Sequence, residues 1–225
     1  GLAFLLNRSS DLSLVHCTKD QKGLNGDEVN VKLPTNKTVT IGLNIRSHWK
    51  EALDLIKAHY NIVVYTASHQ SYADAVLNYL DKENKYFQYR LYRNHCVQCD
   101  VDGIKFYVKD LDTLNKHYNL KDVVLRDNSV LSFAYHLSNG IPIVPFIEQR
   151  DDTQLLMLAY YLVSIASFDD LTQENKKHIN IEHFLLLAKK CADEELEEEQ
   201  NNKNNDNTEK NDDDNKNIEN HNFRF

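Results

Sequence analysis

Hydrophobic and polar positions follow two alternating periods along the first 192 residues. LAFLL (2–6), NIVVY (61–65), KDVVLR (121–126) and IPIVPF (141–146) are short apolar runs, the pattern of strands buried on both faces. Between them the period lengthens. Trp49, Leu53 and Ile56 share one face of a helix predicted over 47–59, with Ser47 as N-cap and Glu51 in the first turn. From Ser71 the helical spacing returns through Ala73, Val76, Leu77 and Leu80. FAYHL (133–137) can supply only a short helix, whereas TQLLMLAYYLVSIA (153–166) is strongly helical and capped by Asp151 or Asp152. A last helix is predicted over about 180–192. Segment 87–109 breaks the alternation: two β-rich runs flank the turn signal DVDG, which predicts an inserted hairpin. The pattern is that of an α/β chain, a parallel sheet flanked by helices on both faces. Ligands bind such sheets at the carboxyl ends of the strands. YTAS (65–68), RDNS (126–129) and SSDLS (9–13) are the polar segments that leave those ends.

Charge changes this picture only near the end of the chain. The 225 residues carry a net charge of -8, and residues 193–225 hold 12 acidic against 4 basic side chains. The body, 1–192, is neutral with 22 of each, and is predicted to be one domain. The segment 193–225 has 10 Asn and almost no apolar residue before Phe223, so it is predicted to be an acidic, disordered tail. A neutral body argues against direct nucleic-acid binding through bulk positive charge. No apolar run approaches the ~18 residues of a membrane span, and no secretory leader pattern is present. Four cysteines (Cys17, Cys96, Cys99, Cys191) do not make a disulfide framework, so a reducing nuclear or cytoplasmic compartment is expected.

The three polar segments carry the candidate chemistry. Thr66 and Ser68 end a strand just before a helix, where hydroxyls and free backbone N–H groups suit an anion such as phosphate, or serve as ordinary caps. Asp127 and Asn128 offer the carboxylate and amide oxygens a hard cation such as Mg²⁺ takes, or close the strand as an Asx-turn. Lys109, at the end of the hairpin, could neutralise a phosphate or be solvated. Cys96 and Cys99 form a lone CxxC beside His95, without the second ligand pair that a zinc site needs.

Taken together, YTASHQSYADAVLNYLD, YRLYRNHC, YVKDL, VLRDNSV and NGIPIVPF with DDTQLL resemble, in this order, the NLI-interacting-factor-like phosphatases. These are phosphatases of the RNA polymerase II C-terminal repeat, within the haloacid dehalogenase superfamily. The resemblance covers roughly residues 39–165. It implies a Rossmann-like core, Mg²⁺ as cofactor, and phosphoserine or phosphothreonine proteins as partners. It further implies that Thr66 contacts the phosphate with Ser68 beside it, that Lys109 balances its charge, and that Arg93 lies near the substrate. Asp127 and Asn128, together with Asp11, correspond to the metal site. The family carries DxDx[TV] at the end of its first strand, the first Asp being the nucleophile and a metal ligand, the second the general acid and base. Here the segment reads SSDLSLVHC. Counting back from LVHC places Asp11 at the second aspartate and Ser9 at the first; a slip of two residues places Asn7 there instead. Neither register supplies the first carboxylate. Arg126 stands where the family usually has an apolar residue. Two functions therefore follow: a Mg²⁺-dependent phosphoprotein phosphatase, or a catalytically inactive member that binds phosphopeptides or a partner protein.

Overall fold

A computed structural model describes residues 2–7, 14–19, 23, 25–33, 35–87, 89–187 and 189–190. The predicted tail and the segment holding Ser9 and Asp11 lie outside these residues. Residues 1–180 and 181–225 form separate units, and in the second, residues 181–187 and 189–190 are helical.

The first unit is built on a five-stranded sheet, β10-β9-β1-β5-β6, in which every neighbouring pair is parallel. Its strands are β1 (Ala3–Asn7), β5 (Asn61–Tyr65), β6 (Tyr89–Leu91), β9 (Val123–Asp127) and β10 (Gly140–Pro142). β1 lies in the centre, with Asn7 level with Tyr65 and Leu6 level with Arg126. The continuous apolar runs are explained by burial on both faces. Ile62, Val64, Val124 and Ile141 join one cluster with α1 (Trp49–Lys57), α2 (Gln70–Leu80) and α3 (Gln154–Ile165). The opposite-parity residues Val63, Tyr65, Val123 and Leu125 are equally buried, as are Val108, Leu111, Leu114 and Phe133.

Several expectations need correction. Ser47 does not cap α1: its hydroxyl donates to the Arg150 carbonyl at 2.7 Å, and His48, left-handed at φ 57°, precedes the helix. The hairpin is shorter than 87–109. β7 (Val97–Val101) and β8 (Ile104–Val108) form it around Asp102–Gly103, whose φ values of 52° and 81° fit a type I′ turn. The first β-rich run, 89–91, joins the main sheet instead, with Val63 opposite Tyr89. FAYHL forms no α-helix; two 3-10 turns, Val130–Phe133 and Leu137–Asn139, span this region. The run 141–146 pairs only as far as Pro142, because prolines at 142 and 145 remove ladder donors.

Two features went unpredicted. An antiparallel sheet of β2 (Val15–Lys19), β4 (Thr38–Ile45) and β3 (Glu28–Lys32) leads into α1, and β3 contacts α2. α4 (Leu171–His178) follows Asp170, whose carboxylate accepts from the N–H groups of Thr172 and Gln173.

Gly140 allows the turn after β9 to sit close to β10. A Cβ there would lie 2.4 Å from the ring of Phe133, itself fully buried. Gly140→Ala is expected to destabilise by about 1–3 kcal/mol, as overpacking does. Thermal unfolding checks it: a melting temperature within about 1 °C of the parent would show that the ring can move aside.

Candidate active site

The site forms where β5, β1 and β9 end side by side. Because β1 lies between the other two, the loops after β5 and β9 flank its end. Thr66, the first residue beyond β5, donates its N–H to the Leu91 carbonyl at 2.9 Å, and its hydroxyl accepts from the Ser68 N–H at 3.0 Å. Both side chains are buried. Arg93 borders this turn. Its N–H donates to the Ser68 carbonyl at 3.2 Å and its Nε to the Ala67 carbonyl at 2.6 Å, while its guanidinium lies 5.3 Å from the Tyr107 ring centroid.

On the other side of β1, the Lys109 ammonium donates to Asp127 Oδ2, and neither side chain is exposed. Asp127 Oδ1 accepts from the Ser129 N–H at 2.8 Å. Lys109 is held from its backbone too, its N–H donating to the Ser132 carbonyl at 2.7 Å. Burial pulls the Lys109 ammonium below the ordinary lysine value, against the raising effect of Asp127. Tyr65 ties the hairpin's root to β5: its hydroxyl donates to the His95 carbonyl at 2.6 Å, with the Asp110 carbonyl at 3.4 Å.

A second ionic group lies at the same edge. Arg46 donates from Nε and Nη2 to the two oxygens of Asp152 at 2.8 and 2.7 Å, and from Nη2 to the Val144 carbonyl at 3.2 Å. Its guanidinium stacks 5.5 Å from the Phe146 centroid. Arg126 is also fully buried. Burial, and then the charge of Arg46, bring its guanidinium down to about 9, against the pull of Asp127 and Asp152. Burial opposes ionisation of Asp152, but Arg46 outweighs it and the carboxyl titrates below its ordinary value. Stabilisation from a depressed carboxyl is present above the unfolded value of ~3.9 and is lost as pH falls through the folded value. Asp152→Asn is accordingly expected to cost about 3–5 kcal/mol at neutral pH, since it leaves Arg46 buried without its carboxylate. The deficit, read by denaturant unfolding, should begin to shrink as pH falls below about 4 and vanish only below the lowered folded value of Asp152, where the parent carries no charge there either. A pH-independent deficit would show that the hydrogen-bond geometry, rather than the charge, is what the site requires.

Thr66, Ser68, Lys109 and Asp127 thus converge on one edge as buried groups, with Asn128 partly buried beside Asp127 and Arg93 exposed at the rim. Ser9 and Asp11 lie outside the described residues. Cys96 also borders this edge. Its thiol lies 3.7 Å from the Thr66 carbonyl, at the base of the hairpin, and burial raises its titration. Asp110, Asp112 and His136 bring ligand atoms within 4.8 Å of one another, but Asp110 is occupied locally. Its carboxylate accepts from the Asp112 N–H at 3.0 Å and meets His136 Nε2 at 3.1 Å, which caps the 3-10 turn Leu111–Leu114. The Arg46–Asp152 pair was missed by sequence reasoning, since its partners stand 106 residues apart and only the capping half of Asp152 has a local signal.

For Mg²⁺ the donor types are right: Asp127 and Asn128 offer oxygens, and each Asp127 oxygen, with one hydrogen bond accepted, keeps a further lone pair. Lys109 and Arg126, both buried, place positive charge close to the same carboxylate.

Comparison with known proteins gives a consistent result. The family described as NLI interacting factor-like phosphatase matches residues 10–172. CTD small phosphatase-like protein 2 of Dictyostelium discoideum is 35% identical over 164 residues, covering 72% of this chain and 27% of that protein. CTD small phosphatase-like protein 3 of Caenorhabditis elegans is 34% identical over 171 residues, covering 75% and 56%. Nuclear envelope morphology protein 1 of Schizosaccharomyces pombe is 30% identical, covering 72% and 33%. The chain therefore spans between about a quarter and just over half of these relatives. Among solved structures, a fission yeast RNA polymerase II CTD phosphatase Fcp1 bound to beryllium fluoride superposes with a TM-score of 0.52 at 18% identity. That match covers 80% of this chain and 54% of the other, and shows a shared fold.

Proposed function

The chain belongs to the NLI interacting factor-like phosphatases, and from that premise we propose that its pocket binds phosphoserine or phosphothreonine in proteins without hydrolysing it at a phosphatase's rate. The observation that carries the binding half is the buried Lys109–Asp127 pair at the edge where Thr66 and Ser68 also end. A cation held without water strengthens any charge-assisted bond to a phosphate oxygen. In this reading the Thr66 hydroxyl and the backbone N–H groups after it orient the phosphate, and Arg93, steadied over Tyr107, meets the peptide at the rim.

The catalytic half rests on residues 7–11. Asn7 ends β1 in register with Tyr65, and Leu6 is level with Arg126, so the next rung brings residue 7 level with Asp127. This register supports Asn7, rather than Ser9, at the position of the family's first aspartate. An amide is not a nucleophile, and a serine hydroxyl needs a base before it can attack. Asp11, the general acid and base by resemblance, would then have no nucleophile to assist.

Partners in this reading are phosphorylated protein segments, of which the RNA polymerase II C-terminal repeat is one class. A nuclear or cytoplasmic site of action accords with relatives named for the nuclear envelope. Among the described residues no helix is long and apolar enough to cross a membrane. Fluorescence polarisation with a phosphoserine peptide and its unphosphorylated twin tests the proposal. The phosphorylated form should bind about tenfold or more tightly, one charge-assisted contact being worth that much. Equal affinities would remove the basis for the reading.

A further inference from the structure

A cleft of about 510 Å³ opens between the start of α1, the end of α2 and the loop 81–87, and none of the residues placed at the phosphate pocket lines it. That loop enters β6 at its amino end, whereas Thr66 and Asp127 stand at the carboxyl ends of parallel strands. Ile45, Trp49 and Leu80 form the apolar part of the lining, and Lys50, Lys82 and Lys85 its cations. The walls are fixed in advance. Asp81 accepts from the N–H groups of Lys85, Tyr86 and Phe87 at 2.7, 2.7 and 2.9 Å, which closes the loop on itself. Trp49 stacks on Phe87 with ring centroids 6.4 Å apart and meets Tyr86 edge-on at 5.9 Å.

Each ammonium of the lining is posed over a ring: Lys50 lies 5.4 Å from the Trp49 centroid, Lys82 5.7 Å from that of Tyr79, and Lys85 4.7 Å from that of Tyr86. The carboxylates around them are already engaged. Asp81 is buried with both oxygens on backbone N–H groups, Asp54 holds Lys85 and the Tyr86 hydroxyl at 2.5 and 2.8 Å, and Asp27 holds the Tyr79 hydroxyl. Among the described residues Lys50 and Lys82 are in no ion pair, and Glu83 is the exposed carboxylate of the lining. Two exposed cations beside a half-buried tryptophan suit an apolar side chain flanked by carboxylates. Nucleobases would need an open ring face to stack on, and those of Trp49 and Tyr86 are taken by Phe87 and by lysines. We propose that this cleft docks an acidic peptide segment of a partner protein, its apolar side chain against Ile45, Trp49 and Leu80 and its carboxylates on Lys50 and Lys82. The site is separate from the phosphate pocket and does not depend on how that pocket is read.

The chain has a single tryptophan, so the emission of Trp49 reports on the cleft directly. The probe is a short peptide of Asp and Glu around one central Phe, titrated into the full chain and followed by that emission and by polarisation of a labelled copy. Binding is expected with a Kd of roughly 10–100 μM and a changed Trp49 emission, since exposed ion pairs are each worth little and the anchor supplies the rest. Replacing the peptide's Phe by Ala should weaken it about tenfold. Lys50→Glu/Lys82→Glu should do the same, and with both positions exposed the variant should melt as the parent does. Lys116→Glu/Lys121→Glu makes the same charge change at exposed positions away from the cleft and should alter the affinity by less than about twofold. Equal losses in the two lysine variants would reduce the binding to bulk charge and overturn the proposal. So would displacement of the peptide by inorganic phosphate at constant ionic strength, which would put it in the carboxyl-edge pocket. An oligothymidylate that binds as tightly with the same emission change, peptide binding that leaves Trp49 emission unchanged, or no binding at all would overturn it too. The phosphoserine reading stands or falls on its own titration.

Discussion

Incubated with p-nitrophenyl phosphate or a phosphoserine peptide and Mg²⁺, the purified chain is expected to turn over at the background rate. The proposed cause is the lack of a carboxylate at the end of β1, where residue 7 lies in register with Tyr65 and residue 9 is the alternative by spacing. Removing the nucleophile of a serine hydrolase costs on the order of 10⁶ in turnover, and a phosphatase without its aspartate should lose comparably. Restoring the carboxylate should reverse part of this. Asn7→Asp is expected to gain about two orders of magnitude or more, and Ser9→Asp less, because the register favours residue 7. Combining Asn7→Asp with Arg126→Leu should raise the Mg²⁺-dependent rate further, since the added carboxylate then faces one cation fewer. Rapid turnover by the parent chain, abolished by EDTA and by Asp127→Asn, would establish an ordinary phosphatase and end the binding-only proposal.

The parts of this molecule that sequence reasoning reached are those governed by local pattern. Continuous apolar runs gave β5 and β9 because burial on both faces demands them, and the same kind of run gave β1. The 3.6-residue spacing of Ala73, Val76 and Leu77 gave α2 for the same kind of reason. What escaped depends on partners distant in sequence. Alternation in residues 89–91 is the same whether the strand pairs with a hairpin neighbour or with β5, so pattern could not choose. EVNVK and TVTIGLNI carried a strand signal that went unread beside the more conspicuous helices. α4 is polar, and its one clear mark was Asp170 at the cap. At the site, position at the strand and hairpin ends raised Thr66, Lys109 and Asp127 as candidates, and family resemblance gave them roles, because nothing local distinguishes a buried lysine from a solvated one. Arg126 stood out in sequence only as a misfit. Its meaning came from the structure, which sets it close enough to Arg46, Asp127 and Asp152 for their charges to act on it.

Replacing Lys109 separates the structural from the ligand-binding share of the same buried pair. Lys109→Met keeps the aliphatic stem and removes the charge, leaving Asp127 inaccessible while its Oδ1 still accepts from the Ser129 N–H. Breaking a buried pair from one side costs about 3–5 kcal/mol, which in a chain of this size lowers the melting temperature by roughly 10 °C. Phosphopeptide affinity should also fall by about tenfold or more, because the ammonium is the cation paired with Asp127 at the edge where Thr66 also lies. The double variant Lys109→Met/Asp127→Leu replaces both charges with apolar groups and should recover most of the stability, as buried pairs exchanged whole often do. It should recover none of the binding. Stability and affinity that returned together would mean that the single variant lost its ligand merely by unfolding the edge of the sheet. Stability regained with affinity still absent would assign Lys109 to the phosphate itself.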